Sequence, residues 1–449
     1  MDPLAENFLT ILAIFCSFYI LFYISKHGKG KGKALPGPQP LPIIGNLHML
    51  SMLPHESLYH LAKKHGAIMS IRLGSVPAVV VSSPEVAEIF LKTHDVVFAS
   101  RPKFQVLQSI YNGKMGIAFT EYGPYWRSLT KFCNQQLFTA SKIESFAPSR
   151  KEVLTHFIES LKEAAAAKEV VNISKKVGNL NAKMILNMIL GPVKKYEEFN
   201  LKEIIEELLY MVGVFNLADF VPFLGAFDLQ DDFISTMLTE LNKQINPNGD
   251  IMDRNCIKAI TIDMIVASLD TSTAPLEWAL LELIKHPRVM LKLQKVLERI
   301  IKKRMVEEND LPKFEYLDMV LKETLRLYPV TPMLLPRESR IIVNIWAIGR
   351  DPNVWSNNVE EFFPERFVNR NIELHGHDFK LIPFGSGCRV CPGRKLALIT
   401  IKLILAQSVH CFDWELPGGM SPNELDMTEK FSSTLPRKNN LCAKPIYRM

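Results

Sequence analysis

The last long helical segment of the sequence, from Arg394 to about Val409, is apolar on nearly every side. A helix of this kind has no face to offer to water, so it must be buried in the body of the protein. The chain has 449 residues, 47% of them hydrophobic, which is enough to bury one large core or two medium ones. The sequence therefore predicts a globular protein and excludes a disordered or fibrous chain.

Helical spacing of apolar residues predominates along the rest of the chain. Strand-like runs are few. Ile68 to Leu73 and Val76 to Val81 flank a glycine turn and predict a hairpin, and a short run extends from Ile341 to Trp346. The sequence thus predicts a mainly α protein with a minor β region. The predicted helices are His55 to His65, Pro84 to about His94, Tyr125 to Leu137, Ser149 to Lys168, Lys202 to Val214, Asn255 to His286 and Leu317 to Leu327.

An uncharged run from Phe8 to Ile24 is close to the thickness of a bilayer at about 1.5 Å per helical residue. Acidic residues precede this run and lysines follow it, so the positive-inside rule places the remainder of the chain in the cytosol. We predict one transmembrane helix within an anchor formed by residues 1–33. The alternatives are a cleaved signal peptide and a buried core helix.

The remainder divides into a hinge and a body. Prolines dominate residues 34–46 and favour a stiff, extended spacer, whereas residues 47–449 are expected to form the catalytic domain. Basic residues number 53 against 47 acidic ones and are scattered beyond the lysine cluster, which argues against nucleic acid as a partner. Seven cysteines without a framework-like spacing indicate a reducing compartment.

One cysteine has a setting that indicates metal chemistry. Cys391 lies between a glycine-rich turn and the start of the buried helix, where free N–H groups and a partial positive charge lower the pKa of a thiol. A thiolate is the electron-donating axial ligand that haem iron needs. Phe384 can shield the sulfur from water, and Arg389 can pair with a haem propionate. Three glycines let the backbone pass close beneath a flat macrocycle, and they are Gly385, Gly387 and Gly393.

Two other interpretations of this segment stay open. Cys388 and Cys391 have the spacing of half a zinc site, with His375 and His377 as the other half. Alternatively, Cys391 is a buried structural cysteine. The histidines are closer together than is usual for zinc ligands, and a structural cysteine leaves the glycines unexplained.

The motif F-x-x-G-x-R-x-C-x-G is matched at every fixed position from Phe384 to Gly393, and nearly the whole chain resembles the cytochromes P450 of the plant microsomal kind. The resemblance implies the cytochrome P450 fold, with haem b as cofactor and Cys391 as the iron ligand. It implies a monooxygenase that inserts one oxygen atom from O2 into a small hydrophobic substrate of specialised metabolism. Electrons would come from NADPH through a membrane-bound reductase, and the single-pass protein would lie in the endoplasmic reticulum membrane.

Two shorter motifs support the same resemblance. Residues 323–326 read E-T-L-R and resemble the family's E-x-x-R helix, and residues 364–367 read P-E-R-F and resemble its P-E-R-F turn. Together they imply a structural ion triad of Glu323, Arg326 and Arg366 that steadies the loop leading to the cysteine. By itself, a Glu and an Arg three residues apart are a common surface pair worth about 0.2–0.5 kcal/mol.

A further motif, A-S-L-D-T-S at 267–272, lies midway along the predicted helix from Asn255 to His286 and resembles the family's A-G-x-D-T segment over the haem. The resemblance implies that Asp270 and Thr271 relay protons at the haem. Without it, such a pair is usually part of a solvated helix face. Pro275 lacks an N–H and is expected to kink the helix here.

Expected contacts to the haem propionates come from two segments. Residues 125–131 resemble the family's helix with a W-x-x-x-R motif, in which Trp126 takes the tryptophan position and Thr130 stands where the family has arginine. Arg127 or Lys131 is expected to replace that arginine in part. Arg337 resembles another propionate contact of the family.

The resemblance also implies a pocket and a partner surface. A basic helix face is expected to dock an acidic reductase domain, unless its members are ordinary solvated side chains, and consists of Arg394, Lys395 and Lys402. The substrate pocket is expected to be mostly apolar and to draw on Arg101 to Ile117, Asn216 to Leu224, Ala267 and Val330 to Leu334.

Two segments usual in the family are missing, one after about residue 230 and one after residue 339. The first normally contains a helix pair of the substrate roof, and the second a β-hairpin. A truncated, non-catalytic haem-binding homologue is therefore a rival interpretation. A haem-thiolate isomerase or dehydratase that needs no oxygen is another.

Overall fold

The structure is a computed structural model that describes residues 17, 35–103, 116–191, 254–356, 358–430 and 432–449. The predicted transmembrane run from Phe8 to Ile24, apart from Ser17, and the predicted helix from Lys202 to Val214 lie outside the described residues. Within the described parts, no helix combines the length and the apolar character needed to cross a membrane.

Helices make up most of the described chain, as the apolar spacing predicted. Several begin with proline in the first turn, where the missing N–H has no intrahelical partner to lose. Wide π-type turns extend the second and third helices over Ile89–Thr93 and Cys133–Leu137. In chain order the helices are α1 Pro54–His65, α2 Pro84–Glu88, α3 Pro124–Phe132, α4 Ala140–Ser145, α5 Ala147–Ala166, α6 Ile173–Leu190, α7 Arg254–Lys285, α8 Pro287–Ile301, α9 Glu315–Leu327, α10 Ile345–Ile348, α11 Pro352–Trp355 and α12 Arg394–Cys411.

Within the described residues, two small sheets of three strands each accompany the helices. The strands are β1 Ile68–Leu73, β2 Val76–Val81, β3 Val171–Asn172, β4 Ile341–Val343, β5 Phe412–Glu415 and β6 Cys442–Tyr447. In the first sheet, β1 and β2 form the predicted antiparallel hairpin, and β4 pairs in parallel with β2. In the second sheet, β6 lies between β3 and β5.

The predicted strand from Ile341 to Trp346 is wrong in its second half. The side chain of Asn344 accepts a hydrogen bond from the N–H of Ala347 and so caps α10, which contains Trp346. A short polar residue at the start of a helix outweighs the β propensity of its apolar neighbours. The first half of the run, Ile341–Val343, is the strand β4.

The turn into β4 is strained. Ser339 and Arg340 have φ values of 62° and 50°, in the left-handed region that side chains with a Cβ rarely adopt. This is the position after which a family hairpin was expected to be missing.

The largest core lies where α7, α8, α9 and α12 pack together. Helix α12 is buried from Thr400 to Cys411 except at Lys402, as its apolar composition predicted. Helix α7 is continuous, with Pro275 inside it, so the proline does not divide the helix. The two halves of the site described below lie on α7 and at the start of α12.

Candidate functional site

Cys391 lies directly before α12, in a turn closed by a hydrogen bond of 2.9 Å from its N–H to the carbonyl oxygen of Phe384. The backbone N–H groups of Gly393 and Arg394 donate to its sulfur. Burial raises the pKa of the Cys391 thiol, and these two N–H groups oppose the rise without reversing it. The helix start therefore lowers this pKa as predicted, but burial has the larger, opposite effect. The positive charge of a bound metal ion would favour the thiolate at this position.

Gly387 is required by a close approach of two backbone segments. Its φ is 72°, and a Cβ there would lie 2.3 Å from the carbonyl oxygen of Leu91 and 2.5 Å from Cγ of Asp95. The Asp95 carboxylate accepts hydrogen bonds from the N–H of Cys388 at 2.6 Å and from the Arg337 guanidinium at 2.5 Å. Because Gly387 has no side chain, the segment after α2 that contains Leu91 and Asp95 can lie directly against the cysteine turn. The sequence did not reveal this role.

Gly393 differs from Gly387 in its surroundings. A Cβ at Gly393 would find its nearest neighbours, the Cys391 sulfur and a ring carbon of Phe138, at 3.9 Å. That distance is ordinary van der Waals contact, so the described protein atoms alone do not demand glycine here.

Three arginines converge beside the cysteine turn: Arg337, which is buried, and Arg101 and Arg389, which are half-buried. Burial and the charges of Arg389 and Arg337 lower the pKa of Arg101 to about 9. Within the described residues, Asp95 is the one carboxylate that forms an ion pair with any of the three. The cluster therefore carries excess positive charge. The three arginines also donate hydrogen bonds to backbone carbonyl oxygens. Arg337 donates to Ser386, Arg389 to Ala99, Ile117 and Thr120, and Arg101 to Ala118, Leu335 and Pro336.

Trp126 belongs to the same arrangement. Its indole N–H donates to the carbonyl oxygen of Ile117 at 3.0 Å, and the Arg389 guanidinium donates to the same oxygen at 3.0 Å. One turn along α3, the Thr130 hydroxyl is buried and has no hydrogen-bond partner among the described residues. Arg127 and Lys131 are exposed, and this exposure gives no support to the prediction that they reach a propionate.

The start of α12 packs against the middle of α7. Leu396, in the first turn of α12, lies against the cluster that contains Leu269 and Ile185. Leu269 directly precedes Asp270, so the packing brings the predicted relay segment to the end of α12 that follows Cys391. Asn181 on α6 fixes the same segment, because its side-chain amide donates to the carbonyl oxygens of Ser268 and Leu269 at 3.1 and 2.7 Å.

The predicted relay residues themselves are held by hydrogen bonds. The Thr271 hydroxyl donates to the carbonyl oxygen of Ala267, one turn earlier. Ala267 is exposed in spite of its place midway along a core helix, so this face of α7 is open. The Asp270 carboxylate accepts a hydrogen bond from the Thr434 hydroxyl, a residue that the sequence did not single out.

The ion triad implied by the two shorter motifs is confirmed. Arg326 donates to both oxygens of Glu323 at 2.8 and 2.9 Å, and Arg366 donates to one of them at 2.8 Å. The side chains of Glu323 and Arg326 have no exposed surface, which excludes the interpretation as a surface pair. The same arginines donate to backbone carbonyls of the segment from Trp355 to Glu361 and so fix it to α9.

The zinc interpretation is wrong. Within the described parts of the chain, the one group of three potential ligands close enough to share a metal ion is His55, Glu56 and Glu429, far in sequence from the cysteines. There His55 already forms a hydrogen bond of 2.8 Å to Glu429. His375 is exposed and paired with Glu373 instead of either cysteine.

The chain matches the family described as "Cytochrome P450" over residues 35–232 and 227–443. It is 48% identical over 502 aligned positions to "Cytochrome P450 CYP736A12" of Panax ginseng, with 100% of both chains covered. It is 35% identical to "Germacrene A hydroxylase" of Saussurea costus, over 98% of this chain and 99% of the relative.

A solved structure has the same fold. The chain resembles the structure titled "Zebra fish cytochrome P450 another structure with Progesterone" with a TM-score of 0.71 and 20% identity, over 88% of this chain and 99% of that one. Family match and relatives together show that this chain belongs to the cytochrome P450 family, and its relatives are plant members. Members bind haem b and receive electrons from NADPH through a reductase.

The residues present fit a haem. The chain offers a sulfur ligand that receives two N–H groups at a helix start, which matches the axial ligand of a haem-thiolate iron. Beside it, the three arginines have one carboxylate between them, so the two negative propionates of haem b would offset the excess positive charge. The unpartnered hydroxyl of Thr130 offers a further donor on the same side of α3 as Trp126.

Proposed function

We propose that the chain is a haem-thiolate monooxygenase that inserts one oxygen atom from O2 into a small hydrophobic substrate, with electrons delivered from NADPH by a reductase. The observation that carries this proposal is the Cys391 turn, in which a half-buried cysteine just before α12 lies beside an arginine cluster of excess positive charge. A relative named as a hydroxylase supports the same class of reaction.

Each site residue has a physical task in this proposal. The haem supplies the oxygen chemistry, and Cys391 holds its iron. Phe384, which packs against the core, keeps water from the sulfur, and Gly387 and Gly393 keep the turn close to the macrocycle. The propionates are bound by a set of donors, which we assign as Arg337, Arg389, Arg101 and Trp126.

Proton delivery falls to the middle of α7. The Asp270 carboxylate takes up and releases protons, and the Thr271 hydroxyl passes them towards the haem. The Thr271 hydroxyl donates to the carbonyl oxygen of Ala267, and the exposure of Ala267 leaves this face of α7 accessible to water. The pocket residues expected at Val330 to Leu334 lie in the described chain, whereas residues 104–115 and the segment Asn216 to Leu224 lie outside it.

The anchor and the partner surface are part of the proposal. Residues 1–33 would hold the protein in the endoplasmic reticulum membrane, residues 34–46 would form the hinge, and residues 47–449 would lie in the cytosol. Of the basic face expected to dock the reductase, Lys402 forms an ion pair with Asp318 at 2.5 Å, whereas Lys395 is exposed. Lys395 is therefore the member best placed to meet an acidic partner.

A truncated, non-catalytic homologue is the second candidate. It is supported by an alignment of 502 positions against 449 residues and by the division of the family match at 227–232. The strained turn at Ser339 and Arg340 lies at the second expected gap. The two segments missing after about residue 230 and after residue 339 would remove part of the substrate roof without removing Cys391, Asp270 or the arginine cluster.

Expression of the full chain in yeast microsomes with a plant NADPH-cytochrome reductase separates the two candidates. The monooxygenase predicts a thiolate-type band in the reduced carbon monoxide spectrum, together with NADPH-dependent incorporation of labelled oxygen from O2 into a compound of a terpenoid, phenolic or fatty-acid panel. A thiolate-type band without any incorporation supports the non-catalytic homologue. Product formation without NADPH supports an isomerase or dehydratase.

A further inference from the structure

We infer that Thr434 is a positioning residue for Asp270, and that the C-terminal loop from Ser432 to Leu441 thereby ties the proton relay to the substrate pocket. The inference rests on the proposed function, since it gives Asp270 a task at the haem. Thr434 belongs to none of the motifs discussed above.

The contact is direct and sheltered. The Thr434 hydroxyl donates a hydrogen bond to Oδ2 of Asp270, across 164 positions of sequence. Thr434 is 2% exposed, so water hardly competes for the bond. A hydroxyl at this place holds one carboxylate oxygen in a fixed direction.

The loop is anchored at Leu435, the residue that follows Thr434. The indole N–H of Trp278, two turns after Asp270 on the same helix, donates to the carbonyl oxygen of Leu435 at 2.8 Å. The N–H of Leu435 donates to the carbonyl oxygen of Val330 at 2.9 Å. Leu435 itself is 1% exposed. The backbone of Thr434 therefore cannot move away from Asp270 without disturbing two buried contacts of the residue that follows it.

Val330 begins the segment expected to line the pocket. A substrate that displaces Val330 to Leu334 will move Leu435 through the hydrogen bond between their backbones, and with it the hydroxyl that holds Asp270. The relay carboxylate is thus sensitive to occupancy of the pocket. The role of Thr434 is to fix the carboxylate while the pocket is formed, and it touches neither haem nor substrate.

The test compares holoenzyme variants in microsomes with the reductase. Thr434→Val keeps the shape of the side chain and removes the hydroxyl, and Thr434→Ser keeps the hydroxyl. Thr428→Val serves as a control, because Thr428 is an exposed threonine of the neighbouring segment whose hydroxyl binds Asp426. Two quantities are measured: the infrared C–O stretch of the reduced carbon monoxide complex, and the share of NADPH electrons recovered as hydrogen peroxide.

We expect Thr434→Val to shift the C–O stretch and to raise the peroxide share several-fold, and Thr434→Ser and Thr428→Val to stay near the wild type. In an Asp270→Asn background, Thr434→Val should have little further effect, because both changes act on one carboxylate. An unchanged stretch and peroxide share in Thr434→Val would overturn the inference.

Folding failure and failure of the proposed function are distinguishable from these results. If Thr434→Val, Thr434→Ala and Thr434→Ser all lose the thiolate-type band, Thr434 has a packing role and the inference is overturned. If the wild type itself lacks that band, the proposed function fails first and the inference fails with it.

Discussion

The guanidinium carbon of Arg389 lies 4.3 Å from the centroid of the Trp126 ring, and both side chains donate a hydrogen bond to the carbonyl oxygen of Ile117. This contact joins α3 to the turn that carries Cys391. The cation over the ring and the shared acceptor hold Arg389 in place among the neighbouring positive charges.

Trp126→Ala should lower the free energy of unfolding by about 3–5 kcal/mol, because a buried indole is lost and the space around Arg389 collapses only partly. Trp126→Phe should cost about 1 kcal/mol, since the ring stays under Arg389 and Ile117 keeps Arg389 as a donor. Denaturant unfolding with haem content as a second signal measures both. Equal losses of unfolding free energy in the two variants would show that the indole N–H, and not the ring, provides most of the stabilisation.

Gly387→Ala should abolish haem retention, because its Cβ would collide with the backbone at Leu91 and with Asp95. Gly418→Ala is the matched control: Gly418 has a φ of 65°, but a Cβ there meets nothing within 4 Å. The control should lose only about 1–2 kcal/mol from backbone strain and keep its haem. Haem absorbance per protein after purification reports the result, and full haem retention in Gly387→Ala would contradict the close packing against Asp95.

Glu323→Gln should destabilise the protein by about 3–5 kcal/mol, because it leaves the charges of Arg326 and Arg366 buried without their carboxylate. The control is Arg288→Ala, which removes an arginine that is 62% exposed from its pair with Glu365. An exposed pair of this kind is worth about 0–1 kcal/mol. Urea unfolding of both variants checks the contrast. Similar losses of unfolding free energy would show that the buried triad stabilises the protein no more than an exposed pair does.

His286 should make stability depend on pH in the neutral range. Its hydrogen bond to Glu282 raises the pKa of His286 above the ordinary value of 6.5, against the opposing effect of burial. A raised folded-state pKa means that the stabilisation is fully present below about pH 6.5 and is lost as pH rises through the folded value. Thermal unfolding of the wild type and His286→Gln across this range should show the difference shrinking with rising pH. A constant difference would contradict the pairing with Glu282.

The sequence predicted the elements with strong local signals. The hairpin of β1 and β2 has the predicted bounds, and α7 and α12 begin within one residue of theirs. The strand expected through Trp346 ended early because Asn344 caps a helix, a choice decided by one side-chain hydrogen bond. Propensity alone does not register such a bond.

The candidate site was predictable where its members share a motif. Several members of the site lie far from Cys391 and Asp270 in sequence: Asp95, Arg101, Asn181 and Thr434. Only the packing of the segment after α2, of α6 and of the C-terminal loop brings them to the site. Their residue types are ordinary for their segments, so no local pattern marks them. The pKa of the Cys391 thiol was predictable in part: the helix start lowers it as the sequence indicates, whereas the larger rise comes from desolvation, which is a tertiary effect.

The proposed bond between the Cys391 sulfur and the haem iron is tested most directly by two serine variants of one turn. Cys391→Ser removes the ligand, whereas Cys388→Ser, three residues earlier, leaves a hydroxyl donor beside Asp95 and serves as the control. We predict that the reduced carbon monoxide complex of Cys388→Ser keeps its thiolate-type band and that Cys391→Ser loses it. A Cys391→Ser protein with haem content and spectrum unchanged would contradict the assignment of Cys391 as the iron ligand.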